Sequence, residues 1–87
     1  MTPSERSRSL VRERKKTHGD WAVQSSLAHT LKEAMRDSAN WKNLSPSQAE
    51  ALDMIQTKVS RILSGDPSEP DHWNDIAGYA VLAGGRP

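Results

Sequence analysis

Apolar residues recur at helical spacing in three segments of the chain. In the first segment they repeat at intervals of three and four residues, at Val23, Leu27, Leu31 and Ala34. Such a repeat places the apolar side chains on one side of a helix. Asp20 follows a glycine and is well suited to cap the free N–H groups at the start of that helix. The pattern therefore predicts a helix over residues 21–37.

The second segment carries the strongest helix-start signal in the sequence. Ser45 is a suitable N-cap, Pro46 suits the first helical position, and Gln48 completes a capping box three residues after the cap. The apolar stripe that follows is Leu52, Ile55, Val59, Ile62 and Leu63. Gly65 stands where a left-handed residue commonly ends a helix. We predict a helix over residues 46–64 that buries this stripe in the core.

The third segment begins at a Ser-x-x-acid pattern that runs from Ser68 to Asp71. Its apolar residues are Trp73, Ile76, Ala80 and Ala83. This pattern predicts a helix over residues 69–83. No segment alternates apolar and polar residues for long enough to suggest a strand. The predicted fold class is all-α, a small bundle of three main helices.

The N-terminal segment is almost wholly polar. Between residues 4 and 16 the only apolar side chains are Leu10 and Val11. A segment with so little to bury is expected to form a flexible or partly helical arm. We therefore predict a basic arm over residues 1–17 and a single helical domain over residues 18–87.

Composition limits the classes of protein that the chain can represent. It has 87 residues, of which 34% are apolar, with three Trp and no Phe. A chain of this size buries only roughly 60% of its unfolded surface, so association with further copies is expected. It contains no cysteine and no apolar run long enough for a membrane span. We expect a cytoplasmic homo-oligomer that does not enter a membrane.

Charge is unevenly placed along the chain. Six of the 12 Lys and Arg residues lie among the first 16 residues, whereas the net charge of the whole chain is only +1. A basic segment of this kind can follow nucleic-acid phosphates, but a solvated polar tail has the same composition. The arm therefore leaves nucleic acid open as a partner.

Two predicted helices carry a second face of mostly polar residues away from their apolar stripes. On the 46–64 helix these residues are Glu50, Asp53, Met54, Lys58 and Arg61, and on the 69–83 helix they are Asp71, His72, Asp75, Tyr79 and Leu82. Magnesium takes carboxylate oxygens as ligands, and lysine and arginine bind phosphate oxygens. We predict that Mg²⁺ is held by the four carboxylates, with His72 as a further candidate ligand, and that phosphate is held by Lys58 and Arg61.

Four residues are candidates for contact with a substrate or another protein. They are His18, Met54, Tyr79 and Leu82. A simpler interpretation stays open, because acidic pairs three residues apart are common on surface helices and a histidine in a turn often only flanks a cap. No Gly-x-Ser-x-Gly motif and no Gly-rich phosphate loop occurs, which argues against a nucleophilic side chain.

Two stretches of the sequence resemble a group of small uncharacterised phage and prophage proteins. They are residues 44–66, LSPSQAEALDMIQTKVSRILSGD, and residues 71–80, DHWNDIAGYA. The motif His18-Gly19-Asp20-Trp21 resembles the opening of the same group. The resemblance spans roughly residues 10–83 and implies a protein of a bacterial host cell.

This group is in turn distantly similar to the MazG-type all-α nucleoside triphosphate pyrophosphatases, in which two acidic helix pairs bind magnesium. Glu50-x-x-Asp53 fits the first pair with a shorter acid. His72-x-x-Asp75 fits the second pair in part, with His in place of Glu and with Asp71 beside it. The resemblance implies a dimeric or tetrameric bundle that handles nucleotides.

Three hypotheses on function result. The first is a nucleotide-binding protein, which resembles a Mg²⁺-dependent pyrophosphohydrolase that uses water as its nucleophile. The second is a non-enzymatic oligomeric adaptor or host-takeover module that binds protein. The third is a DNA-binding protein that uses the basic arm.

Overall fold

The computed structural model describes residues 2–85 and contains four α-helices in that range. They are α1 (Pro3–His18), α2 (Trp21–Arg36), α3 (Pro46–Ser64) and α4 (Pro70–Gly84), with a 3₁₀ turn at Trp41–Asn43 between α2 and α3. No strand occurs among the described residues, so the all-α class is confirmed. The prediction of three main helices with a loose arm is wrong, because the N-terminal segment is itself a full helix.

Helix α1 forms because its ends are well capped, although it has little to bury. The Thr2 hydroxyl accepts a hydrogen bond from the Glu5 amide at 3.2 Å, and the Glu5 carboxylate accepts one from the Thr2 amide at 3.3 Å. Pro3 occupies the first turn, and Lys15 and Lys16 stand in the last turn, where positive charge suits the helix dipole. The sequence prediction weighed only the lack of apolar residues and missed this cap.

Helices α2 and α3 begin where the sequence predicts. The Asp20 carboxylate accepts hydrogen bonds from the amides of Ala22 and Val23. At the start of α3, Ser45 and Gln48 form the predicted reciprocal capping box. Helix α4 differs slightly, because its N-cap is Glu69 rather than a serine.

The first two helices are joined to the last two at a close backbone contact between Gly19 and Gly65. A side chain at Gly19 would overlap the Ser64 carbonyl, and one at Gly65 would overlap the Thr17 carbonyl. The Asp66 amide donates a hydrogen bond to that same Thr17 carbonyl at 3.0 Å. Gly65 has φ −122°, so the predicted left-handed stop is wrong, and the position needs glycine because another backbone lies against it.

Helix α3 is central, since it contacts each of the other three helices. Its predicted apolar stripe is not the buried side: Leu52 and Leu63 are exposed, and the remaining stripe residues keep partial exposure. The buried residues of α3 are Ala51, Gln56, Lys58 and Ser60. The prediction failed because it assigned the apolar side to this chain's own core.

None of the helices within residues 2–85 combines the length and the apolar character that crossing a membrane requires.

Candidate anion-binding site

A pocket of about 430 Å³ lies where the end of α1 meets the start of α2 and the last turns of α3. We call it the basic pocket; its lining includes Arg14, Lys15, His18, Asp20, Trp21 and Arg61. Arg14 and Lys15 lie on the same side of α1 as His18, because they precede it by four and three residues. Arg61 reaches the same pocket from α3, so two helices supply positive charge to one place.

The charges in the basic pocket are only partly balanced. Lys15 lies 3.9 Å from the Asp20 carboxylate, which also caps α2. Within residues 2–85, neither Arg14 nor Arg61 forms an ion pair, and Arg61 Nε is buried without a hydrogen-bond partner. Two guanidinium groups are therefore left available for an anion.

Beside the basic pocket, His72 is buried against the α1–α2 turn. Its side chain is almost fully enclosed, and its Nε2 lies 3.0 Å from the Thr17 carbonyl oxygen. Because a carbonyl can only accept, the His72 ring must donate this bond from Nε2. The His18 and His72 rings lie 4.9 Å apart between centroids. His72 therefore supports the turn that carries His18.

Lys58 is the most deeply placed cation in this region. Its Nζ lies 2.9 Å from the Asp75 carboxylate of α4, and only 11% of its side chain is exposed, against 48% for Asp75. The hydrogen bond from Lys58, and then its charge, lower the pKa of Asp75 below its usual value. Asp75 thus stays ionised, and its carboxylate is already paired with Lys58.

Five side chains in this region influence one another through their charges. We call them the cationic cluster: Arg14, His18, Lys58, Arg61 and His72. Burial, followed by the charges of Arg61, His72 and Lys58, lowers the pKa of His18 to about 4. Burial and the Arg14 charge also lower the pKa of Arg61. Both shifts have the direction expected where positive charge is crowded and partly dehydrated. An anion in the basic pocket would relieve this crowding.

The predicted magnesium ligands do not gather in one chain. Glu50 and Asp71 are exposed, Asp53 binds Arg36 of α2 at 2.8 Å, and Asp75 binds Lys58. Among residues 2–85 no group of three His, Asp or Glu side chains is arranged to hold a metal ion. The residues of a single chain therefore do not fit Mg²⁺, and the metal site stays a prediction.

The other predicted residues divide between the cationic cluster and the surface. His18, Lys58 and Arg61 belong to the cluster, whereas Met54 and Tyr79 are half-buried and Leu82 is 73% exposed. Tyr79 lies near enough to Arg61 to act on its charge. Whether Met54, Tyr79 and Leu82 contact another protein stays a prediction.

Sequence reasoning missed Arg14, Lys15 and Trp21 as members of the pocket. The first two were grouped with the basic arm, and Trp21 was considered only as part of the His18-Gly19-Asp20-Trp21 motif. A signal was present, because Arg14 and Lys15 directly precede the His18-Gly19-Asp20-Trp21 motif at helical spacing. It could be used only once the segment was known to be helical.

Comparison with known proteins gives a family but no activity. No curated protein and no solved structure matches the chain. A family model described as a domain of unknown function, DUF6378, matches residues 4–86. Since this match covers α1 to α4 together with the basic pocket, the chain belongs to the DUF6378 family.

Proposed function

We propose that the protein binds a nucleotide through the basic pocket. The observation that carries the proposal is that Arg14 and Arg61 point into one pocket beside His18 without a carboxylate partner. Arginine suits phosphate because its planar group donates two parallel hydrogen bonds to two oxygens. The pocket therefore offers the charge and the donors that a phosphate chain needs.

The base of the nucleotide has a matching surface on Trp21. This indole lines the same pocket, and 70% of it is exposed to solvent. Flat aromatic rings stack on nucleobases whatever the base, and one such contact is worth about 1–3 kcal/mol. An exposed indole next to two free guanidinium groups thus favours a nucleotide over a simple inorganic anion.

The resemblance to MazG-type enzymes and to phage proteins supports the same proposal at the level of sequence. On the basis of this resemblance we also propose that the protein is located in the cytoplasm of a bacterial host and forms a homo-oligomer. The proposed magnesium ligands are Glu50, Asp53, Asp71 and Asp75. In one chain these carboxylates are separate, and two of them are bound to cations. We therefore propose binding, and we derive no hydrolytic step.

Isothermal titration with ATP, dATP and inorganic triphosphate, each with and without Mg²⁺, tests the proposal. We expect Arg61→Gln to weaken ATP binding roughly 10-fold or more, since a charge-assisted hydrogen bond is lost. Arg8→Gln is the matched control, because Arg8 is exposed on α1 and does not line the pocket. Trp21→Ala should weaken ATP binding more than triphosphate binding.

Three results would overturn the proposal. They are no measurable binding at millimolar nucleotide, equal losses in Arg61→Gln and Arg8→Gln, or triphosphate binding that equals ATP binding in wild type and in Trp21→Ala. The last result would leave an anion site without a base contact.

A second candidate function is nucleic-acid binding along α1. No residue of this helix is buried, so its arginines at positions 6, 8 and 12 are presented to solvent on an ordered helix. Duplex DNA titrated at several salt concentrations should then show an affinity that falls steeply with salt. In this case Arg8→Gln weakens DNA binding more than Arg61→Gln does, the reverse of the nucleotide result.

A further inference from the structure

The molecule exposes more surface than a compact monomer of its size. Its accessible surface is 6283 Å². A folded monomer of 9.6 kDa is expected to expose about 5,100 Å², so the excess is roughly 1,200 Å². A standard interface takes about 800 Å² from each partner. The excess is thus large enough for one stable contact with another chain.

The distribution of apolar residues agrees with this excess. Among residues 2–85 the buried apolar residues are two alanines, Ala28 and Ala51, whereas the other buried residues are polar or charged. Large apolar side chains such as Leu52, Leu63 and Leu82 remain exposed. A helical protein needs larger apolar groups out of water to be stable, so part of this surface must be covered.

One surface concentrates these apolar side chains. A groove of about 670 Å³ lies between the C-terminal half of α2, the 3₁₀ turn and the middle of α3. We call it the apolar groove; its lining includes Leu31, Met35, Leu44, Leu52, Ile55 and Val59. All six keep partial or full exposure, and no charged side chain lines the groove.

We infer that a second copy of this chain covers the apolar groove and forms a two-fold symmetric dimer. The inference deepens the homo-oligomer part of the proposed function by naming its surface, and it does not depend on the ligand. In a two-fold contact the same surface meets itself, so the surface must be complementary to itself. A groove lined by apolar side chains meets this condition, because such side chains pack on one another without needing partners of opposite charge.

The partner that covers the apolar groove must also be bound permanently. This requirement favours a second copy of the chain over a partner that binds only at times. The chain lacks a large apolar core of its own, so the covering surface has to be present whenever the chain is folded. A copy of the same chain is always present at an equal concentration. Obligate homodimer interfaces typically have this apolar character.

Dimerisation through the groove leaves the basic pocket open. The groove uses residues 31–59, whereas the pocket uses residues up to 24 and Arg61. Helices α2 and α3 run antiparallel, since Gly19 lies against Ser64 at one end and Arg36 binds Asp53 at the other. The two surfaces therefore lie toward opposite ends of the pair, and the dimer carries two separate pockets.

Light scattering after size exclusion tests the inference on the full chain. We expect the wild type to have the mass of two chains at micromolar concentration. Leu52→Glu should convert the dimer into a monomer, because it places a charge in the groove. The matched control Leu82→Glu changes the same residue type on a more exposed site outside the groove, and it should stay a dimer.

A second measurement covers the case in which Leu52→Glu does not fold. The chain has no cysteine, so Ala34→Cys adds a single thiol to the groove, and Ser7→Cys adds one on exposed α1. A short bis-maleimide should link two chains through Ala34→Cys at least 10-fold more efficiently than through Ser7→Cys. The melting temperature of the wild type should also rise with protein concentration.

Three results would overturn the inference. They are a monomeric wild type at 100 μM, a dimer that Leu82→Glu breaks and Leu52→Glu does not, and equal cross-linking by the two cysteine variants. Nucleotide titration of the wild type is scored separately. A dimer that binds no nucleotide contradicts only the proposed function, and a monomer that binds nucleotide contradicts only the dimer.

Discussion

The two ends of the α2–α3 pair handle polar and apolar side chains in opposite ways. At the end near Gly19 and Gly65, charged and polar groups of the cationic cluster are drawn inward, and Lys58 and His72 are almost fully enclosed. At the other end, the leucines and isoleucine of the apolar groove are left partly in solvent. The same pair of helices thus lies against buried polar groups at one end and has partly exposed apolar side chains at the other.

The comparison shows that a single chain does not have the usual core, in which large apolar side chains are buried and polar ones are exposed. Burying a polar group costs about 1–3 kcal/mol unless it is hydrogen-bonded, and at the polar end the buried His72 ring has a specific bond of 3.0 Å to the Thr17 carbonyl. Exposed leucines yield none of the stability that their burial would supply. We conclude that the polar end is organised for a ligand and the apolar end for another chain.

The largest expected effect comes from breaking the backbone contact that organises the polar end. Gly65→Ala should destabilise the protein by about 2–4 kcal/mol, because the added methyl meets backbone atoms that cannot move aside. Gly19→Ala should cost at least as much, since Gly19 also has φ +83°. Urea unfolding at fixed protein concentration measures both.

The control for these variants is Gly78→Ala on α4. No atom lies within 4 Å of a methyl placed there, and the position is helical and exposed. We expect a stabilisation of about 0.5–1 kcal/mol from reduced backbone entropy in the unfolded chain. If Gly65→Ala behaves like Gly78→Ala, the close contact at the polar end is not formed.

Asp75→Asn separates anion binding from metal binding at the polar end. If phosphate binds the cationic cluster directly, loss of the carboxylate frees Lys58 and should raise ATP affinity about 3- to 10-fold. If Asp75 is a magnesium ligand, the same variant should lower Mg²⁺-dependent binding. Calorimetry with and without Mg²⁺ decides between the two, and Glu33→Gln serves as a surface control, because Glu33 is exposed on α2 and does not line the basic pocket.

His18 makes the polar end sensitive to pH. Its pKa is about 4 in the folded chain, against an ordinary value of 6.5, so the unfolded chain takes up the proton first as pH falls. The stability linked to His18 is therefore complete above about pH 6.5 and is lost as pH falls toward 4. His18→Gln should flatten the stability profile across that window, as measured by thermal unfolding from pH 4 to 7.

A bound phosphate should move the pKa of His18 upward, because a nearby negative charge favours the protonated ring. NMR titration of the histidine signals with and without ATP measures this shift. His29 is exposed, paired with Glu33 on α2 and does not line the basic pocket, so its pKa should shift less than that of His18. If the pKa of His18 does not change when ATP is added, the result would contradict phosphate binding beside His18.

Local signals predicted where α2 and α3 begin, but they did not identify what packs against each face of these helices. The caps at Asp20 and Ser45 act within three residues, so they can be read directly from the chain. The apolar stripe of α3 was also read correctly as a stripe. What covers it depends on the assembly, and a single sequence carries no signal that separates an internal core from an interface.

The site was only partly predictable for a similar reason. Lys58, Arg61 and His18 were singled out because of their residue types and the motifs around them. Their partners could not be assigned, because the contact of Lys58 with Asp75 and that of Asp53 with Arg36 depend on how helices are placed in space. Arg14 was missed because α1 was expected to be loose.

The smallest expected effect lies at the apolar end, at the ion pair between Arg36 and Asp53. The Arg36 guanidinium also lies 5.1 Å from the centre of the Trp41 ring, at the edge of the groove. Because the arginine is 45% exposed, Arg36→Gln should cost only about 0.5–1 kcal/mol in urea unfolding. It should leave nucleotide affinity unchanged, since neither residue lines the basic pocket. A rise in Mg²⁺ affinity when Asp53 loses its arginine would instead favour the carboxylate metal site over the separation of the two ends.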